Sequence, residues 1–496
     1  MHHDPISNCG CPGPSRRGFL ADMGMGFVGL ALGAMLHRDG VVRADEAHDG
    51  WAPPDGLPHF APRAKRVIWL MMRGGVSHLE SFDPKPALDR YAGKTINESP
   101  YKTTVFGSPF LKNVREQVAN NIIDKTQAKI YPTQIGFKKG GQSGIEVSDW
   151  WPHLRERVDD IAVVRSMYTT DNNHGAQLEF FTGRHLLDGC YPTIGAWVHY
   201  GLGALSDDLP QFISMGPALE FQCMGATDSN YLGPENAGVT LKVDPSDPLP
   251  FARPGVPVGT TEGGLKADLL GRLNRLAALE YPTDPKLRAR IKSYELAFRM
   301  QTAVPEVLRF QDEDEATRRL YGLDNDVTRP FGQQMLAARR LAERGVRFIQ
   351  VFHGDGAAGA WDAHAGLRAN HTTLCAQVDK PIAGLLTDLK RRGLLDDTVV
   401  VWATEFGRTP CAQGADGRDH HNYGFSVWMA GGGLKGGVVH GATDELGFHA
   451  VEDRHYVTDI HATVLHLLGL DSRRLEIPGR KRLEVEHGKP ITEILA

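Results

Sequence analysis

The sequence predicts an α/β fold: a mostly parallel, doubly wound sheet flanked by helices and carrying a helical or coil insertion. Two observations predict it. Several short apolar runs lack the alternation of a half-exposed strand, as expected of strands covered on both faces. Helical stretches separate most of these runs, so that strand and helix alternate along the chain. Composition agrees, because 496 residues at 41% hydrophobic and 23% charged supply a large core and exclude disorder over most of the length.

The first strand is "RVIWLMM" (Arg66 to Met72), a continuous β-favouring run that ends at Gly74-Gly75. Further strands are expected at "DIAVVRSM" near 160, "QFISM" near 211, "VRFIQVF" near 347, "TVVVWATEF" near 398 and "FSVWMAGG" near 425. Helices are expected at "TIGAWVHYGLG" near 193, "PFGQQMLAARRLAERG" near 330, "TLCAQVDKPIAGLLTDLKRRG" near 373 and "VTDIHATVLHLLGL" near 457. Residues 91–148 are irregular and read as a loop over the site. From about 216 to 330 the texture turns to Gly/Pro-rich coil and then to charged amphipathic helices such as "DPKLRARIKSYELAFRMQTA". This segment reads as an insertion on one α/β domain that spans 64–496.

The N-terminus differs from the rest. "SRRGFL" (Ser15 to Leu20) precedes the glycine-interrupted apolar stretch Ala21 to Leu36 and then "VVRA", a small-residue cleavage site after Ala44. That order resembles a twin-arginine export signal over 1–44, followed by a Pro-rich lead over 45–63; the competing reading is a chance Arg-Arg pair before a buried helix. The apolar stretch is shorter than the roughly 20 residues that a spanning helix needs. The expectation is therefore a periplasmic or secreted protein handled by the twin-arginine export machinery. Net charge is -5 from 55 basic and 60 acidic residues, with no long basic block, which argues against nucleic acid as partner. Cys190, Cys223, Cys375 and Cys411 are widely spaced and form no Cys-x-x-Cys pair, so no zinc knuckle is indicated.

Polar residues gather where the expected strands end. The first strand runs into Ser77, His78, Glu80 and Asp83, and the strand near 160 into Asp171, Asn173, His174 and Arg184. The strand near 347 runs into His353, Asp355, Asp362 and His364; the strand near 398 runs into Glu405 and Arg408, followed by Asp419, His420 and His421. Ligands of open α/β sheets bind beyond the carboxyl ends of strands. Imidazole and carboxylate suit zinc, manganese or iron, and carboxylates with water suit calcium or magnesium. Each cluster also has a plainer reading: Asp362 with His364 as a polar turn, His420-His421 as solvated side chains, Glu405 as the ion-pair partner of Arg408. Their convergence at one edge favours a metal-binding pocket.

Together "RGGVSHLESFDPKP", "NNHGAQLEFFTGR", "WDAH", "TEFGRTP" and "GRDHHNYGFSVWMAGGGLKGGVVHG" resemble the uncharacterised sulfatase-like family numbered 1501 among the domains of unknown function, from about residue 64 to the C-terminus. The resemblance implies an alkaline phosphatase-like fold, shared with sulfatases. It also implies a divalent metal (zinc, calcium or manganese) held by Asp362, His364, Glu405, His420 and His421, with Ser77, His78, His174, Arg184 and Arg408 as catalytic candidates. Three departures stand against the superfamily pattern. The first-strand aspartate is replaced by Arg73-Gly74-Gly75; counting nine back from Thr182-Gly183-Arg184 lands on Asn173 instead of a sulfatase nucleophile, with Thr169 and Thr170 as substitutes; and Phe406 stands where phosphatases have histidine. Three readings follow. One is a metal-dependent hydrolase of phosphate or sulfate esters, acting on a small-molecule or glycan ester with water or Ser77 as nucleophile. The second is a non-catalytic, metal-containing binding protein for anionic glycans, and the third a metal-independent serine hydrolase built on Ser77, which lacks the Gly-x-Ser-x-Gly elbow.

Overall fold

The computed structural model describes residues 54–112, 128–206, 208–218, 220, 225–244 and 303–496, with scattered positions between 269 and 300. The twin-arginine stretch, most of the Pro-rich lead, part of the loop over 91–148 and most of the insertion's charged helices lie outside the described residues. Pro54 to Ala496 form one compact unit.

Strand β1 (Arg66–Met72) lies in the middle of a nine-stranded sheet among the described residues. The other strands used below are β2 (Ile161–Tyr168), β3 (Phe212–Met215), β4 (Val239–Leu241), β5 (Phe348–His353) and β6 (Thr398–Ala403). They are followed by β7 (Gly407–Gln413), β8 (Gly417–His421), β9 (Phe425–Ala430), β10 (Val438–His440) and β11 (His455–Tyr456). Spatial order is β10-β2-β9-β6-β1-β5-β3-β4, with β11 also on β2. β9 pairs antiparallel with both β2 and β6, and every other pairing in the sheet is parallel. The "QFISM" strand thus gains a parallel neighbour, Val239–Leu241, from within the segment expected as an insertion.

The unbroken apolar run of β1 is explained by burial on both faces. Ile68, Leu70 and Met72 point into one core, while Val67, Trp69 and Met71 point into the other. Helices α1 (Ala176–Thr182), α2 (Ile194–Leu202) and α5 (Val457–Leu467) cover the second face, through Phe180, Ile194, Ile460 and Val464. Helices α3 (Arg329–Glu343) and α4 (Leu367–Arg391) cover the first, through Met335, Leu336, Val378, Ile382 and Leu385. Helix α4 starts earlier than "TLCAQ" suggests. Leu367, His371, Leu374 and Cys375 continue one buried stripe at helical spacing, so the pattern extends back into "LRANH". Among the described residues no helix is long and apolar enough to cross a membrane.

This topology brings the polar loops together. The carboxyl ends of β1, β2, β5 and β6 share one edge, and β9, running the other way, presents its amino end there. The hairpin β7–β8 hangs from the same edge, with His420 opposite Arg408 and His421 opposite Gly407. At the end of β1 the chain turns through Gly74 and Gly75 at φ +118° and +90°, a region that suits glycine. A Cβ on Gly74 would fall 2.5 Å from the Asp362 backbone N, and one on Gly75 would fall 2.4 Å from the Phe406 ring. The double glycine therefore lets two loops of the edge close onto the first strand.

Gly74→Ala combines a strained φ with an overlap against backbone and is expected to cost about 3 kcal/mol. Gly393→Ala, at φ +68° with open space around it, is expected to cost only about 1 kcal/mol. Urea unfolding midpoints of the two variants check the contrast, and equal midpoints would contradict the close packing at Gly74.

Candidate metal centre

Asp362 sits at the centre of the edge, in the loop after β5, and its position is fixed by its neighbour Trp361. The Trp361 backbone N donates to Arg73 O at 3.0 Å and its indole Nε1 to His353 Nδ1 at 3.1 Å. The carboxylate then collects four nitrogens. Arg408 Nη2 donates to Oδ1 at 2.8 Å; His364 Nε2 lies 3.0 Å and His420 Nε2 3.1 Å from that same oxygen, and His174 Nε2 lies 3.3 Å from Oδ2. The three imidazoles come from three different places: the loop between β2 and α1, the turn before α4, and the end of β8.

Each ring is held at its other nitrogen. His174 Nδ1 faces Glu405 Oε1 at 3.3 Å, His420 Nδ1 donates to the carbonyl of Asn172 at 3.0 Å, and His364 Nδ1 meets Gln413 Oε1. This arrangement, with Nε2 inward and Nδ1 on an oxygen acceptor, is how metal-ligating imidazoles are oriented. The backbone supports it locally. Asn173 N donates to Asp171 Oδ1 at 2.9 Å in a tight turn before His174, and Gly417 admits the carbonyl of His364, which would fall 1.9 Å from a Cβ there. A register shift between Arg418 and His420 re-aims the end of β8, as bulges do. Arg418 then turns to Glu80 while His420 turns to Asp362.

Electrostatics show what these atoms need. Burial disfavours the charged form of Asp362, but hydrogen bonds from His174, His364 and His420 and the charge of Arg408 outweigh it and hold the carboxyl far below its usual range. His174 is opposed by burial too, yet Asp362 and Glu405 raise it to about 9. Asp362 also raises His364, against burial. His420 goes the other way: burial pushes it down to about 4, with repulsion from Arg408, His174 and His364. A neutral His420 whose Nδ1–H is given to a carbonyl has a bare lone pair at Nε2, and that lone pair faces Asp362 Oδ1 and, at 3.0 Å, His364 Nε2. Nε2 of a neutral His420 and Oδ1 of Asp362 are then two acceptors 3.1 Å apart, a contact that a divalent cation would relieve. Two donor sets of this kind occur among the described residues, His174 with Asp362 and His420, and His364 with Asp419 and His420, each within 4.8 Å.

The sequence candidates divide accordingly. Asp362, His364 and His420 converge as one cluster, and His174, read as catalytic, joins them. Glu405 lies one layer out: it orients His174 and accepts from Gln177 Nε2 at 3.0 Å and from the Gly74 backbone at 2.8 Å. His421 points away from this cluster, because adjacent strand residues alternate in direction; its Nε2 meets the Phe448 carbonyl and its ring stacks on His78. His78 is buried with Nε2 2.9 Å from Gly447 O. Ser77 is fully buried, its Oγ bonded to Glu80, and its backbone N donates to His371 at 3.0 Å. Arg184 pairs with Asp188 at 3.2 Å and Glu486 at 3.4 Å. Arg408 does reach the cluster, but the rest of its guanidinium is spent on the carbonyls of Gly74, Gly75, Trp361 and Arg418. Phe406 packs its ring 4.4 Å from that of His420 and 5.5 Å from that of His174, forming an apolar wall. Sequence reasoning missed the outer acceptors Gln413 and the Asn172 carbonyl. The turn "QGADG" between β7 and β8 was a signal for the hairpin that brings Gln413 beside His364.

The chain belongs to the family described as "Protein of unknown function (DUF1501)", whose model matches residues 64–495. Among curated proteins none matches it in sequence. Among solved structures it is similar to a phosphonate monoester hydrolase from Silicibacter pomeroyi, at 14% identity and TM-score 0.34 over 70% of this chain and 71% of that one. It is also similar to a sulfatase from Pseudoalteromonas sp., at 11% identity and TM-score 0.34 over 88% of this chain and 72% of that one. A protein of the alkaline phosphatase superfamily from Vibrio parahaemolyticus gives 11% identity and TM-score 0.34 over 90% and 72%.

Zinc titrated into the metal-free protein at pH 7 is expected to displace protons, because His174, raised to about 9, carries one there and must lose it to ligate. Apparent affinity then rises about tenfold per pH unit between 7 and 9 for each proton released, which calorimetry in buffers of different ionisation enthalpy reads directly. An affinity flat over that range would contradict ligation by His174. Asp362→Ala removes the oxygens on which the imidazoles converge and is expected to leave no zinc after gel filtration, measured by elemental mass spectrometry.

Proposed function

We propose that this protein is a divalent-metal-dependent hydrolase of phosphate or sulfate esters that works outside the cytoplasm after twin-arginine export. The observation that carries the reading is the convergence of three imidazole nitrogens on the Asp362 carboxylate at the carboxyl edge of a parallel sheet. Zinc or manganese suits this nitrogen-rich donor set better than calcium, which prefers oxygen ligands. A bound divalent ion supplies Lewis acidity there, polarising an ester oxygen and lowering the pKa of water. The chain itself does the rest. Asp362 and its imidazoles fix the geometry, Glu405 and the Asn172 carbonyl keep two rings from rotating, and Phe406 excludes water from one side. His364 has 38% of its side chain exposed against 8% for His420, so an ester approaches from the His364 side. With the Ser77 hydroxyl sealed against Glu80, water is the favoured nucleophile. The "SRRGFL" stretch supports export, and the disulfide at Cys190 suits an oxidising compartment.

One observation favours the second reading, a metal-containing protein that binds anionic glycans without turnover. Arg408 and Arg73 spend their nitrogens on the protein's own carbonyls, on Asp362 and on Gln177, so neither offers a free fork to an oxyanion.

Aryl sulfate, phosphate and phosphonate esters distinguish the two. Protein reloaded with zinc or manganese is expected to turn over at least one of them, chelation to abolish the activity, and Asp362→Ala to lower kcat/KM about a thousandfold, several kcal/mol of lost stabilisation. Metal-loaded protein that turns over none of the three, yet binds anionic sugars saturably, would replace the hydrolase with the binding protein.

A further inference from the structure

Beside the carboxyl end of β2 lies a cavity of about 680 Å³ that includes none of the candidate metal ligands. It is nevertheless built on the same two stretches of chain. Thr169 and Tyr423 line it; Thr169 N donates to Asn422 O at 3.0 Å, and the same stretches continue to His174 and back to His420.

Three features of its wall belong together. Arg454 has its guanidinium carbon 3.3 Å from the centroid of Phe110 and 4.2 Å from that of Tyr168, and its Nε is buried without a hydrogen-bond partner. Among the described residues no carboxylate forms an ion pair with it, whereas the other two arginines of the wall, Arg184 and Arg473, are paired with Asp188 and Glu484. The Thr169 hydroxyl, in a residue only 2% exposed, is likewise buried without a partner. Aromatic faces and three carboxylates, Asp188, Asp459 and Glu484, also line it, together with Lys489.

A half-desolvated guanidinium without a counterion costs free energy that an anionic ligand recovers. Aromatic faces suit the apolar side of a sugar ring, and the Thr169 hydroxyl suits one of its hydroxyls. The three carboxylates also oppose a densely charged polyanion. We propose that this cavity binds a sugar carrying one anionic group, with Arg454 on the anion and Thr169 on a ring hydroxyl. As the sugar subsite of the hydrolase it rests on the reading above; as a binding site it stands without the metal.

The test is calorimetry on the full-length protein held in chelator, with glucose 6-sulfate, glucose 6-phosphate, glucuronate, glucose and inorganic sulfate as probes. At least one anionic sugar is expected to bind at least about tenfold tighter than glucose and than inorganic sulfate, and the preference among the three identifies the anion. Arg454→Gln is expected to weaken that sugar about tenfold while leaving glucose and the thermal midpoint unchanged; Thr169→Val, nearly isosteric, is expected to weaken it as well and serves if the arginine variant does not fold. Equal binding of glucose, equal binding of bare sulfate, or unchanged affinity in the folded variants would each overturn the assignment. Failure here leaves turnover of aryl esters untouched, whereas lost turnover with intact sugar binding overturns the hydrolase and keeps the subsite.

Discussion

Arg408 is the joint on which this end of the molecule depends. Its guanidinium is fully buried and contacts Asp362 together with the carbonyls of Gly74, Gly75, Trp361 and Arg418. Those groups belong to the loop after β1, the loop after β5 and the hairpin after β6. One cation thus ties three segments that the sheet alone brings only near one another. Among the described residues Asp362 is the carboxylate that forms an ion pair with it, and a buried charge that loses its partner is strongly destabilising. Asp362 is therefore fixed by structure before any ligand chemistry is considered. Beneath it a second buried pair, Arg418 with Glu80 at 2.6 Å, holds the other side of the hairpin to the turn after β1.

Given that joint, the imidazoles follow. Each ring has one nitrogen committed to an oxygen of the protein, so its freedom to rotate is spent and the remaining nitrogen is aimed. The register shift in β8 matters here as much as any ligand. Without it Arg418 and His420, two apart, would point the same way; with it one serves the scaffold and the other the site.

Much of the fold was legible because burial on both faces leaves a plain trace. The six apolar runs became strands, and the main helices fell where charged and apolar residues alternate at helical spacing. Direction was not legible. "FSVWMAGG" reads like its parallel neighbours, and only the short hairpin before it reverses the chain. For the site, the sequence showed which residue types collect at strand ends but not which way they face. His420 and His421 are equivalent as letters and lie on opposite sides of one strand. Ser77 and His78 follow the first strand as functional residues do, yet the turn through Gly74-Gly75 carries them into the interior. The acceptors that orient the rings are backbone and amide oxygens, which composition cannot single out.

The donors run from residue 174 to residue 420 and come together only when the whole sheet is closed. Asp362, His364, Asp419 and His420 lie between residues 362 and 420, but His174 follows β2 and joins them only once that strand is in the sheet, in contrast to motifs whose ligands lie within one helix or loop. Under the metal-dependent reading, capture of an ion by the full donor set would therefore be a late event, and the ion available where the chain completes its folding would be the one it takes. The same separation makes capture a reporter of completeness. A chain whose donors held an ion together would already have joined the segment around residue 174 to the segment around residue 420, and an ion that binds only this state pulls the population toward it.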